Sequence, residues 1–216
     1  ELRNLGWQLD VRSVFVAPVL IDMAQTVRRD ANTFVVPPNL IAEGCTTITP
    51  AMLPLVSLSQ TEIDAIVNTV PGGGANVQDI YPLAPLQEGI LFHHLLQTQG
   101  DNYLLQSVLA FDTRERLNAF LTALQRVIDR HDILRTAVCW RELAQPVQVV
   151  WRQAPLKVNT FTPTTTGDVV TQLKRHTDPR QHRLNLNQAP LFAADIAPNP
   201  AQDEWLLALR FHHLVS

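Results

Sequence analysis

Cysteine and basic charge are both scarce in this sequence, and each scarcity excludes a class of protein. Cys45 and Cys139 are the only cysteines among 216 residues. They form no Cys-x-x-Cys motif and have no neighbouring histidine, so we expect neither a disulfide framework nor a structural zinc site. Lys and Arg number 17 against 20 Asp and Glu, which gives a formal charge of -3. Because the basic residues are also scattered, nucleic acid is not an expected partner.

Long hydrophobic runs are missing as well. Apolar runs such as Val14–Ile21 are too short to cross a bilayer, and Pro18 interrupts that one. No charged-then-apolar leader opens the sequence, so no membrane partner is expected and we predict a cytoplasmic location. The chain is nevertheless 46% hydrophobic. It can therefore bury the core of one large domain, or of a small domain plus part of another.

The first 77 residues divide into two regions. Residues 1–32 predict small helices with one apolar face each, the last of them carrying Leu20, Met23, Ala24 and Val27 after Pro18. Residues 33–77 are predicted to be a linker, because Asp30–Pro54 lose this periodicity and contain Pro37, Pro38, Pro50 and Pro54, which indicates an extended conformation. Within that linker, Ser59 and Glu62 have the spacing of a capping box and predict a short helix over 59–70.

Residues 78–216 mix helical and strand periodicity, so the predicted fold class is α/β. Asp112 is expected to cap the clearest helix, whose apolar stripe from Leu117 to Ile128 predicts packing against a sheet. The other predicted elements are a helix over Pro85–Leu96, strands over Tyr103–Phe111, Thr136–Trp140 and Val147–Trp151, a helix over Asp168–His176, and a last strand over Trp205–Val215.

Four of the seven histidines form two adjacent pairs, His93-His94 and His212-His213. For a single histidine, a satisfied core or surface residue is the favoured interpretation. In the last predicted strand, however, side chains alternate, so His213 closes the most apolar face and His212 points the other way. An imidazole at the end of such a row is partly desolvated and held neutral, as a general base requires. We therefore expect His213 to act as a base and His212 to orient another group.

Two other uses of these histidines are not expected. A metal site fits poorly, because adjacent strand residues cannot converge on one ion and no carboxylate lies at a ligand spacing from either pair. A serine hydrolase would need a Gly-x-Ser-x-Gly elbow, and the sequence has none. The remaining interpretation is histidine that works without a protein nucleophile.

Four segments resemble, in order and spacing, the condensation domains of nonribosomal peptide synthetases. Phe211–Ser216 resembles the start of the His-His-x-x-x-Asp-Gly motif, whose Asp is expected to follow Ser216. The other three cover the opening motif in the form found after a D-configured donor, the second motif, and the segment before the histidine motif: Tyr81–His93, Arg130–Thr136, and Leu184–Leu186 with Ala189–Leu191. The resemblance extends over residues 79–216.

A finer resemblance concerns the first histidine pair. His93-His94-Leu95, four residues, and then Gly100-Asp101 are similar to the extra signature of dual epimerisation/condensation domains. The alternative is that His93 and His94 only extend a helix face, as in a plain condensation domain that accepts a D-donor. Both alternatives stay open on the sequence alone.

The resemblance implies the N-terminal half of a chloramphenicol-acetyltransferase-like fold. In this family, the amine of an acceptor aminoacyl thioester attacks the carbonyl of a donor peptidyl thioester. His213 is then expected to orient or deprotonate the amine, and in the dual subclass to remove the donor Cα proton first, helped by His93 or His94. Arg135 resembles the Arg that pairs with the motif Asp, and we expect it to be structural and unpaired within this chain.

Residues 1–32 resemble the last helices of a peptidyl carrier domain, on Leu5–Phe15 with Ala17-Pro18. The serine that bears 4'-phosphopantetheine in that family is expected upstream of Glu1, and Ser13 is not its equivalent. The implied partners are donor and acceptor carrier domains with thioester-bound groups and an adjacent adenylation domain, with no metal. The chain alone is expected to be inactive, and a purely non-catalytic carrier or docking fragment is the remaining alternative.

Overall fold

The computed structural model describes residues 7–9, 13, 16–29, 37–164 and 166–215. The chain forms two compact units, Glu1–Pro38 and Asn39–Ser216. In the first unit, strand β1 (Trp7–Gln8) pairs antiparallel with β2 (Arg28–Arg29), and helix α1 (Leu20–Thr26) lies between them in sequence. Helix α1 buries none of its side chains. The helical turns predicted before Pro18 lie largely outside the described residues.

The second unit alternates helices and strands, which confirms the predicted α/β class. Its elements are α2 (Gln60–Thr69), β3 (Val77–Pro82), α3 (Pro85–Leu96), β4 (Leu104–Phe111), α4 (Arg114–Arg130), β5 (Thr136–Cys139), β6 (Val147–Trp151), β7 (Val158–Thr160), α5 (Val169–His176), β8 (Phe192–Asn199) and β9 (Glu204–His212). Short 3-10 turns cover Pro50–Met52, Gly73–Asn76, Asp132–Arg135 and His213–Val215. No described helix has the length and apolar character needed to span a bilayer.

Side-chain caps begin helices α2 and α4, and one of the two predicted caps is wrong. The capping box at α2 is confirmed, since Ser59 accepts the Glu62 N–H and Glu62 accepts the Ser59 N–H at 2.7 Å. The predicted cap of α4 is wrong, because Thr113 takes that place and accepts the Arg116 N–H at 3.2 Å. Asp112 instead forms an exposed ion pair with the Arg116 side chain.

Two sheets divide the second unit. One has the order β3-β6-β5 and is antiparallel, and the other has the order β4-β9-β8-β7 with only the β7–β8 pair parallel. Alternation along β9 is confirmed: Leu207 packs with Leu117 of α4, and Leu206 packs with Leu173 of α5. The second sheet therefore has a helix against each face.

The segment predicted as a linker packs into the second unit. Its apolar side chains Ile41, Ile48, Leu53 and Leu58 are buried in one core together with residues of β3, β5 and β6. Helix α2 adds two more buried isoleucines to this core. The functional boundaries at 32/33 and 77/78 stay predictions, while the compact unit itself begins at Asn39.

The last strand is shorter than predicted. Strand β9 ends at His212, and His213 begins a 3-10 turn that runs to Val215. His213 therefore does not close the apolar row of the strand, and its side chain is exposed instead of desolvated by that row. Strand alternation cannot be extended past the last ladder pair, Leu104 with His212.

Candidate active site

The fold brings the two histidine pairs together and splits each of them. Helix α3 ends near the edge of the second sheet, and a loop over 97–103 returns the chain into β4, whose first residue pairs with His212. One member of each pair is buried, His94 at 6% and His212 at 0% exposure. The other members, His93 and His213, are exposed. The site thus has a buried layer and an exposed layer.

Asp101 holds the buried layer together. Its Oδ2 atom lies 2.5 Å from His94 Nδ1 and 3.1 Å from His212 Nε2. His212 Nδ1 accepts the Leu214 N–H at 3.2 Å, so the proton of its ring is on Nε2 and points at Asp101. Burial raises the pKa of the Asp101 carboxyl, but hydrogen bonds from His212, His94 and the Tyr103 N–H outweigh it and hold that pKa well below its ordinary value.

This cluster corrects one premise of the sequence analysis. A carboxylate does reach both histidine pairs, because the loop over 97–103 folds Asp101 between them. The ligand atoms of His94, Asp101 and His212 lie within 4.8 Å of one another, close enough in principle to hold a metal ion. Both ring nitrogens of His212 already have partners, however, so the cluster is satisfied by its own hydrogen bonds. The absence of a metal stays a prediction.

Tyr103 occupies the exposed layer between the other two histidines. Its hydroxyl lies 2.7 Å from His93 Nδ1. Its ring stacks on the His93 ring with centroids 5.8 Å apart, and on the His213 ring with centroids 6.5 Å apart and planes 8° apart. Since the His213 N–H also donates to the Tyr103 carbonyl at 2.8 Å, one residue contacts both exposed imidazoles.

The loop that carries Asp101 is held in place by the segment over residues 179–183. Gly100 is buried with φ at +68°, and a Cβ there would lie 2.3 Å from the Arg180 carbonyl oxygen. The Asp101 N–H donates to the Pro179 carbonyl at 2.8 Å. Arg183 also donates to the carbonyls of His94 and Gln97. Only glycine fits at position 100, and this close approach fixes where Asp101 enters the site.

A cleft of about 350 Å³ opens beside His213. Its lining combines apolar side chains with amides and a phenol: Leu86, Ile90, Ile133, Gln87, Gln148 and Tyr81. Gln87, in the first turn of α3, donates to the Leu214 carbonyl and to Gln148 Oε1, both at 3.0 Å. The start of α3 is therefore tied directly to the turn that presents His213.

Arg135 is not unpaired, contrary to expectation. The guanidinium is 5% exposed and binds Asp132 Oδ1 at 2.5 Å, Gln78 Oε1 at 2.9 Å and the Trp151 carbonyl. Asp132 lies in the same predicted motif, so the ion pair forms within a single 3-10 turn. These contacts connect β3, the turn and β6, which agrees with a structural role and sets Arg135 apart from the histidine cluster.

Four residues of the site were not predicted from the sequence: Asp101, Tyr103, Gln87 and Gln148. Asp101 belongs to the quoted signature, and its spacing from His94 was the available signal. Gln87 lies inside the opening motif and was visible there in the same way. Tyr103 and Gln148 had no local signal, because their side-chain contacts in the site come from residues 10 to 110 positions away.

The condensation domain family matches residues 77–216, well over half of the sequence. The chain belongs to the condensation domain family. This condensation domain covers both histidine pairs, the cleft and all four motifs that the sequence analysis identified. The carrier helices predicted for residues 1–32 fall outside the match and stay a prediction.

Relatives among known proteins agree with this assignment. Over 99% of its length the chain is 50% identical to malpinin synthetase of Mortierella alpina, and over 100% it is 42% identical to malpibaldin synthetase of the same organism. It spans only 3% and 4% of those synthetases. A solved starter condensation domain of rhizomide synthetase aligns with 62% of this chain and 34% of its own, at a TM-score of 0.51 and 23% identity. The chloramphenicol-acetyltransferase-like fold is thereby confirmed.

Proposed function

We propose that this condensation domain forms amide bonds in a nonribosomal peptide synthetase. The amine nitrogen of an acceptor aminoacyl thioester attacks the donor thioester carbonyl, a C–N bond forms, and the C–S bond breaks to release a thiolate. His213 takes the proton that the amine loses and returns it to the leaving sulfur. Much of the rate comes from holding both thioesters in place, since positioning alone contributes on the order of 7 kcal/mol in favourable cases.

One observation carries this proposal: the exposed imidazole of His213 lies at the edge of the cleft, and the turn that carries it is fixed from two sides. Its backbone is bonded to Tyr103, and the next residue, Leu214, is bonded through its carbonyl to Gln87 and through its N–H to His212. A general base must be within hydrogen-bond reach of the proton it abstracts. Because the His213 side chain is exposed, its imidazole is accessible to an amine bound beside the cleft.

We further propose that the domain epimerises the donor residue before condensation. His213 removes the proton from the donor Cα next to the thioester carbonyl and releases it to solvent, and a proton from solvent delivered to the opposite face of Cα gives the D-residue. Support comes from the extra signature, because its two halves meet: His94 contacts Asp101, and Asp101 contacts His212 of the main motif. If His94 only extended the apolar face of α3, it would need no carboxylate as a partner.

The proposed partners are donor and acceptor carrier domains and an adjacent adenylation domain. Each carrier presents its acyl group on a 4'-phosphopantetheine arm, which supplies the thioester. We assign the end of such an arm to the cleft, because the cleft opens beside His213 and Leu86 and Ile133 provide apolar contact there. The cytoplasmic location stays a prediction.

The amide-forming activity is tested in the synthetase that carries this sequence, with both carriers loaded. His213→Ala is expected to lower the condensation rate at least about a hundredfold, the usual contribution of a positioned base. The matched control is His131→Ala, an exposed histidine outside both pairs. Unchanged product formation by His213→Ala would remove this role from His213.

Epimerisation has a separate measurement. With an L-configured donor thioester in D2O, the wild type is expected to incorporate deuterium at the donor Cα and to give a product with a D-residue there. Condensation of a D-donor without any exchange at Cα would show a plain D-donor domain instead.

A further inference from the structure

Tyr103 is the residue at which both layers of the active site meet. On the buried side, its N–H donates to Asp101 Oδ1 at 3.0 Å. On the exposed side, its ring stacks on His213, and its hydroxyl lies 2.7 Å from His93 Nδ1. Neither of the two roles proposed for His213 makes use of this residue.

The backbone and the side chain of Tyr103 do different things. Its main-chain bonds to Asp101 and His213 remain whatever side chain stands at 103, so they place the His213 backbone only. The imidazole still has two side-chain torsions, and an exposed ring on a three-residue turn can change rotamer. A flat ring lying nearly parallel, with planes 8° apart, restricts that freedom.

The hydroxyl explains why a tyrosine serves here better than a phenylalanine. A half-buried phenol is expected to have a hydrogen-bond partner, and His93 provides it. The bond and the ring stacking together hold Tyr103 between the two imidazoles. The position of His93 thereby determines the position of the Tyr103 ring.

We propose that Tyr103 is a positioning residue whose ring holds the imidazole plane of His213 and whose hydroxyl is held by His93. This inference rests on the proposed function of His213 as the base. It gives His93 a specific task, which is to act on His213 through Tyr103 and not on the substrate. The two exposed members of the histidine pairs are then coupled through a single phenol.

The coupling is tested with Tyr103→Phe, His93→Ala and the double variant in the synthetase with loaded carriers. Each single variant is expected to lower kcat for condensation of a D-donor about tenfold with little change in KM, since misplacement of a reacting group affects the rate more than binding. The double variant is expected to be no slower than His93→Ala alone, because Tyr103→Phe breaks only the hydroxyl bond that His93→Ala already removes. Additive losses would assign His93 a separate role and overturn the coupling.

The ring itself is tested with Tyr103→Leu, expected to lower kcat about a hundredfold because the stacking is lost as well. Leu105→Ala, an exposed position on strand β4 two residues after Tyr103, is the control and is expected to leave kcat unchanged. Thermal unfolding of every variant separates loss of fold from loss of positioning. Wild-type kcat in folded Tyr103→Leu would overturn the proposal.

A crystal structure of the Tyr103→Leu variant gives a readout that does not depend on turnover. The expected result is a His213 imidazole that has rotated away from its wild-type plane while the His213 N–H still donates to the carbonyl of residue 103. An unmoved imidazole contradicts the inference. A wild type that forms no amide bond, in contrast, contradicts the proposed function and leaves the structural result to decide the positioning role of Tyr103.

Discussion

Asp101 and His212 are 111 positions apart in the sequence, yet Asp101 Oδ2 and His212 Nε2 lie 3.1 Å apart and neither side chain contacts solvent. A buried carboxylate is stabilised only where donors surround it. Here two imidazoles and one backbone N–H do so. This carboxylate therefore joins the end of α3, the loop before β4 and the end of β9 at one point.

Asp101→Asn is predicted to destabilise the domain by about 3 kcal/mol. The amide keeps the shape of the carboxylate but has only one acceptor oxygen and no charge. Its NH2 group must face either the Tyr103 N–H or the two imidazoles, so at least one donor loses its acceptor. The free energy of unfolding in urea measures the effect. Asp129→Asn, at an exposed position where the side chain accepts from Gln125, is the control and should change stability by less than about 0.5 kcal/mol. Equal midpoints for the two variants would contradict the prediction.

The lowered pKa of Asp101 also predicts a dependence of stability on pH. Its folded-state pKa is below the ordinary 3.8, so the unfolded chain binds more protons in the interval between the two values. The stabilisation is complete above that interval and is lost as the pH falls through it, at about 1.4 kcal/mol per pH unit. Urea unfolding from about pH 5 to about pH 2.5 should show a steeper decline for the wild type than for Asp101→Asn. Parallel curves would mean that Asp101 does not supply this dependence.

Local rules predicted the helices well but missed strands β3, β7 and β8 of the second unit, and β8 shows why. Ser59 and Glu62 are in contact within one turn, so sequence alone locates α2. Strand β8 contains Asp195 and Pro198, residues that argue against a buried strand. The buried charge of Asp195 is compensated by Arg210 of the neighbouring β9, whose guanidinium lies 2.7 Å from the Asp195 carboxylate. Such a pair between two strands has no local signal.

The same distinction applies to the active site. Adjacent histidines are visible in the sequence, and their motifs identified the family. The sequence did not show that each pair divides into a buried and an exposed member, because that depends on where β9 stops and on how the loop over 97–103 is packed. Asp101 reaches His212 only through that loop, and no spacing rule for metal ligands or catalytic groups covers a separation of 111 positions.

Gly100→Ala is predicted to lower the free energy of unfolding more than the same substitution at another glycine with positive φ. Positive φ alone costs an alanine about 1 kcal/mol. At Gly100 the new Cβ would also lie 2.3 Å from the Arg180 carbonyl oxygen, and relieving that clash adds about 2 kcal/mol. The control is Gly44→Ala, where φ is +76° and no atom lies within 4 Å of the Cβ. Urea unfolding of both variants separates strain from clash, and equal losses would contradict the close approach.

Arg135→Lys is predicted to lower stability by about 3 kcal/mol. A lysine cannot reach Asp132, Gln78 and the Trp151 carbonyl at the same time, so buried acceptors lose their donor. The control is Arg116→Lys in the exposed pair with Asp112, expected to change stability by less than about 0.5 kcal/mol. Differential scanning calorimetry measures both. A stable Arg135→Lys variant that no longer forms amide bonds would instead give Arg135 a catalytic role.

Gln87→Met is predicted to slow amide formation without unfolding the domain. Methionine has a similar shape but cannot donate to the Leu214 carbonyl or to Gln148, so the turn that presents His213 loses its attachment to α3. Loss of one such hydrogen bond corresponds to about a tenfold lower kcat, since it costs on the order of 1 kcal/mol. Gln202→Met, an identical substitution at an exposed position, is the control. Because Gln87 also lines the cleft, KM is measured together with kcat. A rise in KM with unchanged kcat would assign Gln87 to substrate binding and not to the placement of His213.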